Sequence, residues 1–234
     1  MQIAQFYHAW ADGRWERPLT EHIGWMSHAG FRVPLKMGVI GKPENRVRLY
    51  RWLDEKLPGQ WELAAEADEG FEEVTLMAVR DWALHNDGNA LYAHTKGAGN
   101  TNDFAVQWQN RMTRELVWRW QHCQDLLREA DAAGCHWLAP GQDWPRPWPL
   151  DGNVIRVSHP HFSGNFWWAT AGYLRKLPAW PYEIPHYPGC CTRDSVPQAM
   201  GRYLAELWIG LGDPRICDLY PGMPGEYARR NELT

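Results

Sequence analysis

Residues 31–57 read FRVPLKMGVIGKPENRVRLYRWLDEKL and contain one complete strand–turn–helix unit. Phe31 to Ile40 is an apolar stretch, closed by Gly41-Lys42-Pro43. From Glu44 to Leu57, the residues Val47, Tyr50, Leu53 and Leu57 recur at three- and four-residue steps, which puts them on one helical stripe. Pro43 suits the first turn of that helix. The alternation continues outward in both directions. Upstream, Ile3 to Trp10 reads as a strand ending near Ala11-Asp12-Gly13. Downstream, Trp61 to Ala67 is a third strand, and Glu72 to His85 is a helix with acids in its first turn, where the helix dipole favours them. Asn89 to His94 is a short strand running into the turn Thr95-Lys96-Gly97-Ala98-Gly99.

The longest helical signal comes next. Trp108, Met112, Leu116, Trp120, Cys123, Leu127 and Ala130 recur at steps of three and four, so one face is buried. Thr101 or Asp103 can cap this helix, and Gly134 ends it before a strand over Cys135 to Leu138. Strands alternating with helices predict an α/β fold with a mostly parallel central sheet flanked by helices. Beyond residue 140 the pattern loosens. Pro140 to Pro149 (PGQDWPRPWP) is a loop with Trp144 and Trp148 as ring-binding candidates, and Val154 to Trp168 is strand-like. Pro178 to Asp194 is a second loop, Val196 to Gly210 a last helix, and the tail after Asp213 irregular. The expectation is one domain over 1–234, with a regular half (1–140) and a loop-rich part (141–234).

Composition narrows the function classes. The 234 residues are 44% hydrophobic and 22% charged, which suits a soluble globular protein and excludes disorder, collagen and coiled coil. No apolar run reaches the roughly 20 residues needed to span a bilayer. The N-terminus has no signal-peptide pattern, so the expected location is the cytoplasm. The net charge of −4 is unlike the basic excess of a protein that binds nucleic acid through phosphates. The five cysteines (123, 135, 190, 191 and 217) form no C-x-x-C pair and are expected to be reduced and structural. Two biases stand out: 16 Trp against 9 Tyr and 6 Phe, and only five Lys among 24 basic residues. Flat apolar faces with planar cationic forks suit ring-shaped ligands carrying phosphate; core filling and genome composition are the plainer explanations.

In open parallel sheets ligands bind beyond the carboxyl ends of the strands. That rule points at His8–Trp10, Gly41, Glu66–Gly70, His94–Gly99 and the segment near Asn165. In Tyr92-Ala93-His94-Thr95-Lys96-Gly97, a His offers a metal ligand, a Lys a point charge for phosphate, and glycine a close backbone approach to an anion. A solvated turn is the alternative. Phe162-Ser163-Gly164-Asn165-Phe166-Trp167-Trp168 sets an amide beside two indoles, an arrangement suited to sugar, or to a strand whose Trp pair fills the core. His159 and His161, on a strand, point to one face. Arg202 and Glu206 are spaced for a surface ion pair, or Glu206 serves as a general base. The patterns of dinucleotide folds, P-loops, nucleophile elbows and zinc proteases are absent, as is a literal D-x-D.

Taken in order, YAHTKG, the helix with W-x-x-R-M, GCHW, HFSGNFWWA with the following YL and LP, and R-x-x-x-E-x-W resemble a group of GT-A-like glycosyltransferases found in polysaccharide loci and viruses. The H-T-K turn is also similar to that of rhamnan-synthesis-type glycosyltransferases, which carry G-R-D where this chain has Gly70-Phe71-Glu72. The resemblance spans most of residues 1–210. It implies a GT-A-like single domain in which Glu72, His94, Thr95, Lys96 and Gly97 contact the diphosphate of a nucleotide-sugar donor such as a UDP-sugar. His94 stands where a metal-binding D-x-D is usual, so a divalent Mn or Mg ion would lie there. His161, Ser163, Gly164, Asn165, Trp167 and Arg202 would face the acceptor, and Glu206 would take its proton.

The function expected is transfer of a hexosyl or pentosyl group from a nucleotide-diphosphate sugar to an acceptor hydroxyl. The acceptor is a glycan, or a hydroxymethylated DNA base held by Arg111, Arg114 and Arg119. A non-catalytic carbohydrate-binding module is the alternative, and a module stacking nucleic-acid bases on Trp ranks last.

Overall fold

The computed structural model describes residues 2–95, 103–140, 143–145, 154–156, 159–180 and 204–221. In chain order its elements are β1 (Gln2–Trp10), α1 (Glu16–His28), β2 (Leu35–Ile40), α2 (Pro43–Lys56), β3 (Trp61–Ala67), α3 (Glu73–His85) and β4 (Gly88–His94). Then come α4 (Asp103–Thr113), a π-helical turn (Arg114–Trp118), α5 (Trp120–Leu126), β5 (Ala132–Gly134), β6 (Trp137–Leu138), β7 (Asp143–Pro145) and β8 (Val154–Arg156). The described chain closes with β9 (His161–Phe162), β10 (Trp167–Thr170), α6 (Ala171–Leu174), a helical stretch at 204–207 running into a 3-10 turn (Trp208–Gly210), and β11 (Ile216–Asp218).

Seven strands form the central sheet in the order β11-β5-β10-β4-β1-β2-β3. β1 pairs in parallel with β2 and β4, β2 with β3, and β5 with β11, while β10 runs antiparallel between β4 and β5. The sheet is therefore mostly parallel and flanked by helices, as the strand–helix alternation predicts. Alternation along each strand feeds a core on either face. Tyr7, Ala9, Leu91, Ala93 and Trp168 pack with α1, α2 and the long-helix segment; Phe6, Tyr92, Trp167 and Ala169 pack with α3, α6 and Trp208. The adjacent indoles of Trp167 and Trp168 thus fill opposite cores, and both are fully buried. At about 200 Å² each and ~25 cal/mol per Å², each contributes about 5 kcal/mol. Among the described residues no helix is long and apolar enough to cross a membrane.

Several local expectations are corrected. α1 is not anticipated, because its inward row Leu19, His22, Met26 carries a histidine where an apolar residue would have marked the face. In α2 the buried residues are Leu49 and Leu53, while Val47 faces solvent. β2 starts at Leu35, not Phe31. The single long helix is interrupted by the π-helical turn, which re-phases the stripe and leaves Trp120 half-buried while Met112, Leu116 and Cys123 stay buried. Gly134 ends no helix; it lies in β5, and β6 is a separate two-residue strand paired with β9. The tail holds β11, which completes the sheet edge. Cys123 and Cys135 are buried and, with Cys217, free of disulfides; Cys190 and Cys191 lie outside the described residues.

Four histidines are buried among the described residues, His8, His22, His94 and His136, and burial acts most plainly on the first two. His8 stands between Gly38 and His94 in the strand register, with its Nδ1 2.7 Å from Thr75 Oγ1. Thr75 fits because residue 38 has no side chain: a Cβ there would lie 1.8 Å from Thr75 Oγ1. His22 donates from Nε2 to Gln5 Oε1 at 3.1 Å, leaving Nδ1 buried with no hydrogen-bond partner. Burial pushes both rings down to about 3 from the usual 6.5. The unfolded chain therefore binds these protons near pH 6.5 and the folded chain only near pH 3. Their neutral-ring stability is complete above pH 6.5 and falls by about 1.4 kcal/mol per pH unit per ring through that window. Urea midpoints should drop steadily between pH 6.5 and 5, and His22→Gln should lose about half of that slope. A flat profile in wild type would show that these rings are not held neutral.

Candidate functional site

The parallel strands β1 to β4 end on one edge of the sheet, and β5 ends there too, because β10 reverses between it and β4. His94 is the last residue of β4 and is almost fully buried. Its Nδ1 lies 3.2 Å from Glu72 Oε1 and its Nε2 donates to the Gly164 carbonyl at 2.8 Å. One proton on Nε2 and one held between Nδ1 and Oε1 satisfy both contacts. Glu72, at the start of α3, is also buried and collects further donors on Oε2: the Asn165 amide, and the Tyr92 hydroxyl at 3.3 Å. Burial, followed by the charge of Glu72 and the hydrogen bond to it, pushes the Tyr92 phenol far up, so it stays a donor; Glu73 and Glu206 add to the shift.

Asn165 sits at φ +55° and Gly164 at φ +96°, a tight turn in the left-handed region that glycine and asparagine tolerate best. The Asn165 side chain accepts from Trp167 Nε1 at 2.8 Å and donates to the Ala205 carbonyl at 3.4 Å. That last bond ties the turn to the helical stretch carrying Glu206, whose charge reaches Tyr92. Glu72, His94, Gly164, Asn165, Trp167 and the Glu206 helix therefore meet around one buried carboxylate. Thr95, next to His94, is bonded to β1 instead: its N–H donates to the His8 carbonyl at 2.9 Å, and its hydroxyl accepts from Trp10 N–H at 3.2 Å.

Other expected site residues stand differently. Trp167 has no exposed surface and lies 5.1 Å from Tyr92, stacked, so it acts on the site by holding Asn165 rather than by offering a face to a ring. Ser163 is buried, its N–H donating to the His136 carbonyl at 3.0 Å. His161 and His159 do not share a strand face: β9 starts at His161, whose Nδ1 lies 2.9 Å from the His159 carbonyl. Lys96, Gly97, Arg202 and Trp148 lie outside the described residues, and Trp144 falls in β7.

Two helix starts on this edge already hold carboxylates of the chain. Asp12 Oδ1 accepts from Lys42 N–H at 3.0 Å and Asn45 Nδ2 at 2.7 Å at the head of α2. Hydrogen bonding from Asn45 leads the causes holding the Asp12 carboxyl below its ordinary range. Glu73 accepts from Phe71 N–H at 2.9 Å at the head of α3. A metal ion on His94 would have to displace Glu72 or Gly164, and the described residues contain no group of three His, Cys, Asp or Glu side chains able to hold one. The described donor set does not fit a divalent ion. His8, Thr75 and Tyr92 complete the site without an assigned role in the sequence reading, although the carboxyl-end rule reaches His8 and period-two alternation puts it on the His94 face.

Glu72 serves His94, Asn165 and Tyr92 at once, and each buried polar group left unsatisfied costs about 1–3 kcal/mol. Glu72→Gln also turns an acceptor into a donor facing Asn165 and His94. This variant should lose at least about 3 kcal/mol in urea unfolding; a loss below about 1 kcal/mol would show that Glu72 does not organise the site.

Two solved structures share a distant likeness with the chain. HddC from Yersinia pseudotuberculosis aligns over 99% of both chains at 10% identity with a TM-score of 0.48. A 4-diphosphocytidyl-2C-methyl-D-erythritol synthase aligns over 75% of this chain and 78% of its own, at 10% identity and a TM-score of 0.41. A family model matches residues 6–183, a span that holds the whole Glu72–His94–Asn165 cluster; the chain belongs to the family described as Domain of unknown function (DUF8361).

Proposed function

We propose that the chain is a glycosyltransferase that moves a sugar from a nucleotide-diphosphate sugar to an acceptor hydroxyl. The observation that supports this most is the pair of bonds from the Gly164–Asn165 turn. One runs to His94 at the head of the H-T-K-G turn and the other to Ala205 beside Glu206. The segment assigned to the acceptor is thereby joined to both the donor turn and the candidate base. With the starts of α2 and α3 occupied by Asp12 and Glu73, the residues that follow Thr95 in the sequence, Lys96 and Gly97, are the ones we assign to the diphosphate.

In the reaction the bond between the anomeric carbon and the diphosphate oxygen breaks. Lys96 and the N–H groups of its turn take up the charge of the leaving group. The acceptor oxygen bonds to the anomeric carbon, and its proton passes to the Glu206 carboxylate. His94 and Glu72 position the turn and do not exchange protons with substrate. A glycan is the acceptor we favour, because the arginines considered for DNA are engaged locally: Arg119 on Glu115 at 2.7 Å, Arg114 on Glu115 at 3.6 Å, and Arg111 on the Tyr220 hydroxyl at 3.1 Å.

Thermal unfolding against UDP, GDP, CDP and dTDP, each with and without manganese, tests the reading. A nucleotide at about 100 times its Kd adds about 2.7 kcal/mol, or about 5–10 °C for a chain of this size. One nucleotide should produce that shift, and Glu206→Gln should keep it while losing sugar transfer. No shift with any nucleotide would overturn the reading in favour of a carbohydrate-binding module; full transfer by Glu206→Gln would remove Glu206 from the mechanism.

A further inference from the structure

The long-helix segment turns one indole outward. Its π-helical turn buries Glu115, Leu116 and Val117 and leaves Trp118, the last residue of the turn, 42% exposed. Such turns recur at functional sites. Trp25 of α1 lies beside Trp118, with ring centres 6.1 Å apart and planes inclined by 34°. His28, exposed in the last turn of α1, lies against both rings, at 5.9 Å from Trp25 and 6.2 Å from Trp118. The cluster is fastened from both elements. Trp25 Nε1 donates to Asn110 Oδ1 on α4 at 2.7 Å, and the Arg114 guanidinium stands 5.5 Å from the Trp118 ring centre.

The polar groups around these rings are donors. The Asn110 oxygen is spent on Trp25, which leaves its two amide N–H groups. Arg119 at 2.7 Å and Arg114 at 3.6 Å share the single carboxylate of Glu115, so one positive charge is left over beside Trp118. Aromatic faces carry partial negative charge and attract the C–H bonds of a sugar ring. Guanidinium and amide N–H groups bind carboxylate and hydroxyl oxygens. One surplus charge is little for a nucleic acid, whose affinity is summed over many phosphates. The cluster also stands away from the carboxyl edge: α1 leaves that edge at Glu16, and Trp25 lies about 14 Å further along the helix.

We propose that Trp25, His28 and Trp118 form a binding platform for an acidic glycan chain, with Arg114 taking a carboxylate of the chain. The assignment rests on the glycan-transferase reading above and adds the class of acceptor: a charged polysaccharide, gripped well behind the hydroxyl that reacts. A chain long enough to reach both places gains from the second contact through its effective concentration, and a short one does not.

The test is retardation in native gels cast with polygalacturonate or alginate, against gels with methyl-esterified pectin or dextran, for wild type, Trp118→Ala, Trp118→Phe and Arg114→Gln. At least one acidic polymer should retard wild type several times more than the two neutral ones. Trp118→Ala should weaken that retention about fivefold, and Trp118→Phe, which keeps a flat face, should weaken it less. Arg114→Gln should remove the preference for acid over ester and serves as the decisive variant if Trp118→Ala fails to fold. No retention of wild type by either acidic polymer overturns the platform, as does equal retention by dextran or unchanged retention of a folded Trp118→Ala. A Trp118-dependent change of mass in sedimentation without glycan binding also overturns it, in favour of an interface between copies, and Trp118-dependent binding of dT10 alone does so in favour of nucleic acid. Thermal shifts with UDP, GDP, CDP and dTDP keep the two readings apart. A nucleotide shift without polysaccharide retention leaves the transferase standing and the platform overturned. Trp118-dependent retention without any nucleotide shift keeps the platform and overturns the transferase.

Discussion

A single buried carboxylate sets the geometry of the carboxyl edge. Glu72 lies where α3 begins, and the groups turned toward it come from different parts of the chain: His94 and Tyr92 from β4, and Asn165 from the turn before β10. An ionised carboxylate out of water is tolerable only when its lone pairs are filled by donors. Each of those donors is therefore constrained, and through them β4, the Gly164–Asn165 turn and the 204–207 helix are fixed relative to one another. The left-handed backbone at Asn165, an uncommon conformation outside glycine, is held by the same bonds.

Glu72 and His94, both expected at the donor diphosphate, are instead turned toward the protein. Both are nearly sealed from solvent, and both spend their polar atoms on protein partners. Trp10, at the end of β1 on the same edge, is by contrast partly exposed. On this edge the described polar residues around Glu72 form a buried frame that sets distances.

Much of the frame was legible in the sequence. β1, α2, β3, α3 and β4 follow from strong periodicity bounded by glycine and proline, and the carboxyl-end rule led to His8–Trp10 and His94. Elements held by few or polar contacts were not legible. α1 was hidden by His22 on its inner row, β11 by having only three paired residues, and the π-helical turn by a stripe that reads as continuous helix on either side of it. Of the site, the convergence of Glu72 with Asn165 could not be read, because 93 residues separate them and no local pattern encodes that pairing. The burial of Trp167 was open for a related reason: a Trp beside an amide reads alike as sugar platform or core.

The Trp167–Trp168 dipeptide has a consequence for how the chain is made. One ring completes the core under α3 and α6, and its neighbour completes the core under α1 and α5. A ribosome delivers β1 to β4 and their helices first, yet neither core receives its central ring until residues 167–168 emerge, and β5 has no link to β4 until β10 slides between them. Strands and helices made earlier must wait with apolar faces unpaired, a state open to chaperones and to aggregation. Two consecutive codons thus supply a ring to each core late in synthesis, and the core under α3 and α6 waits longer still, for Leu204, Ala205, Trp208 and Ile209.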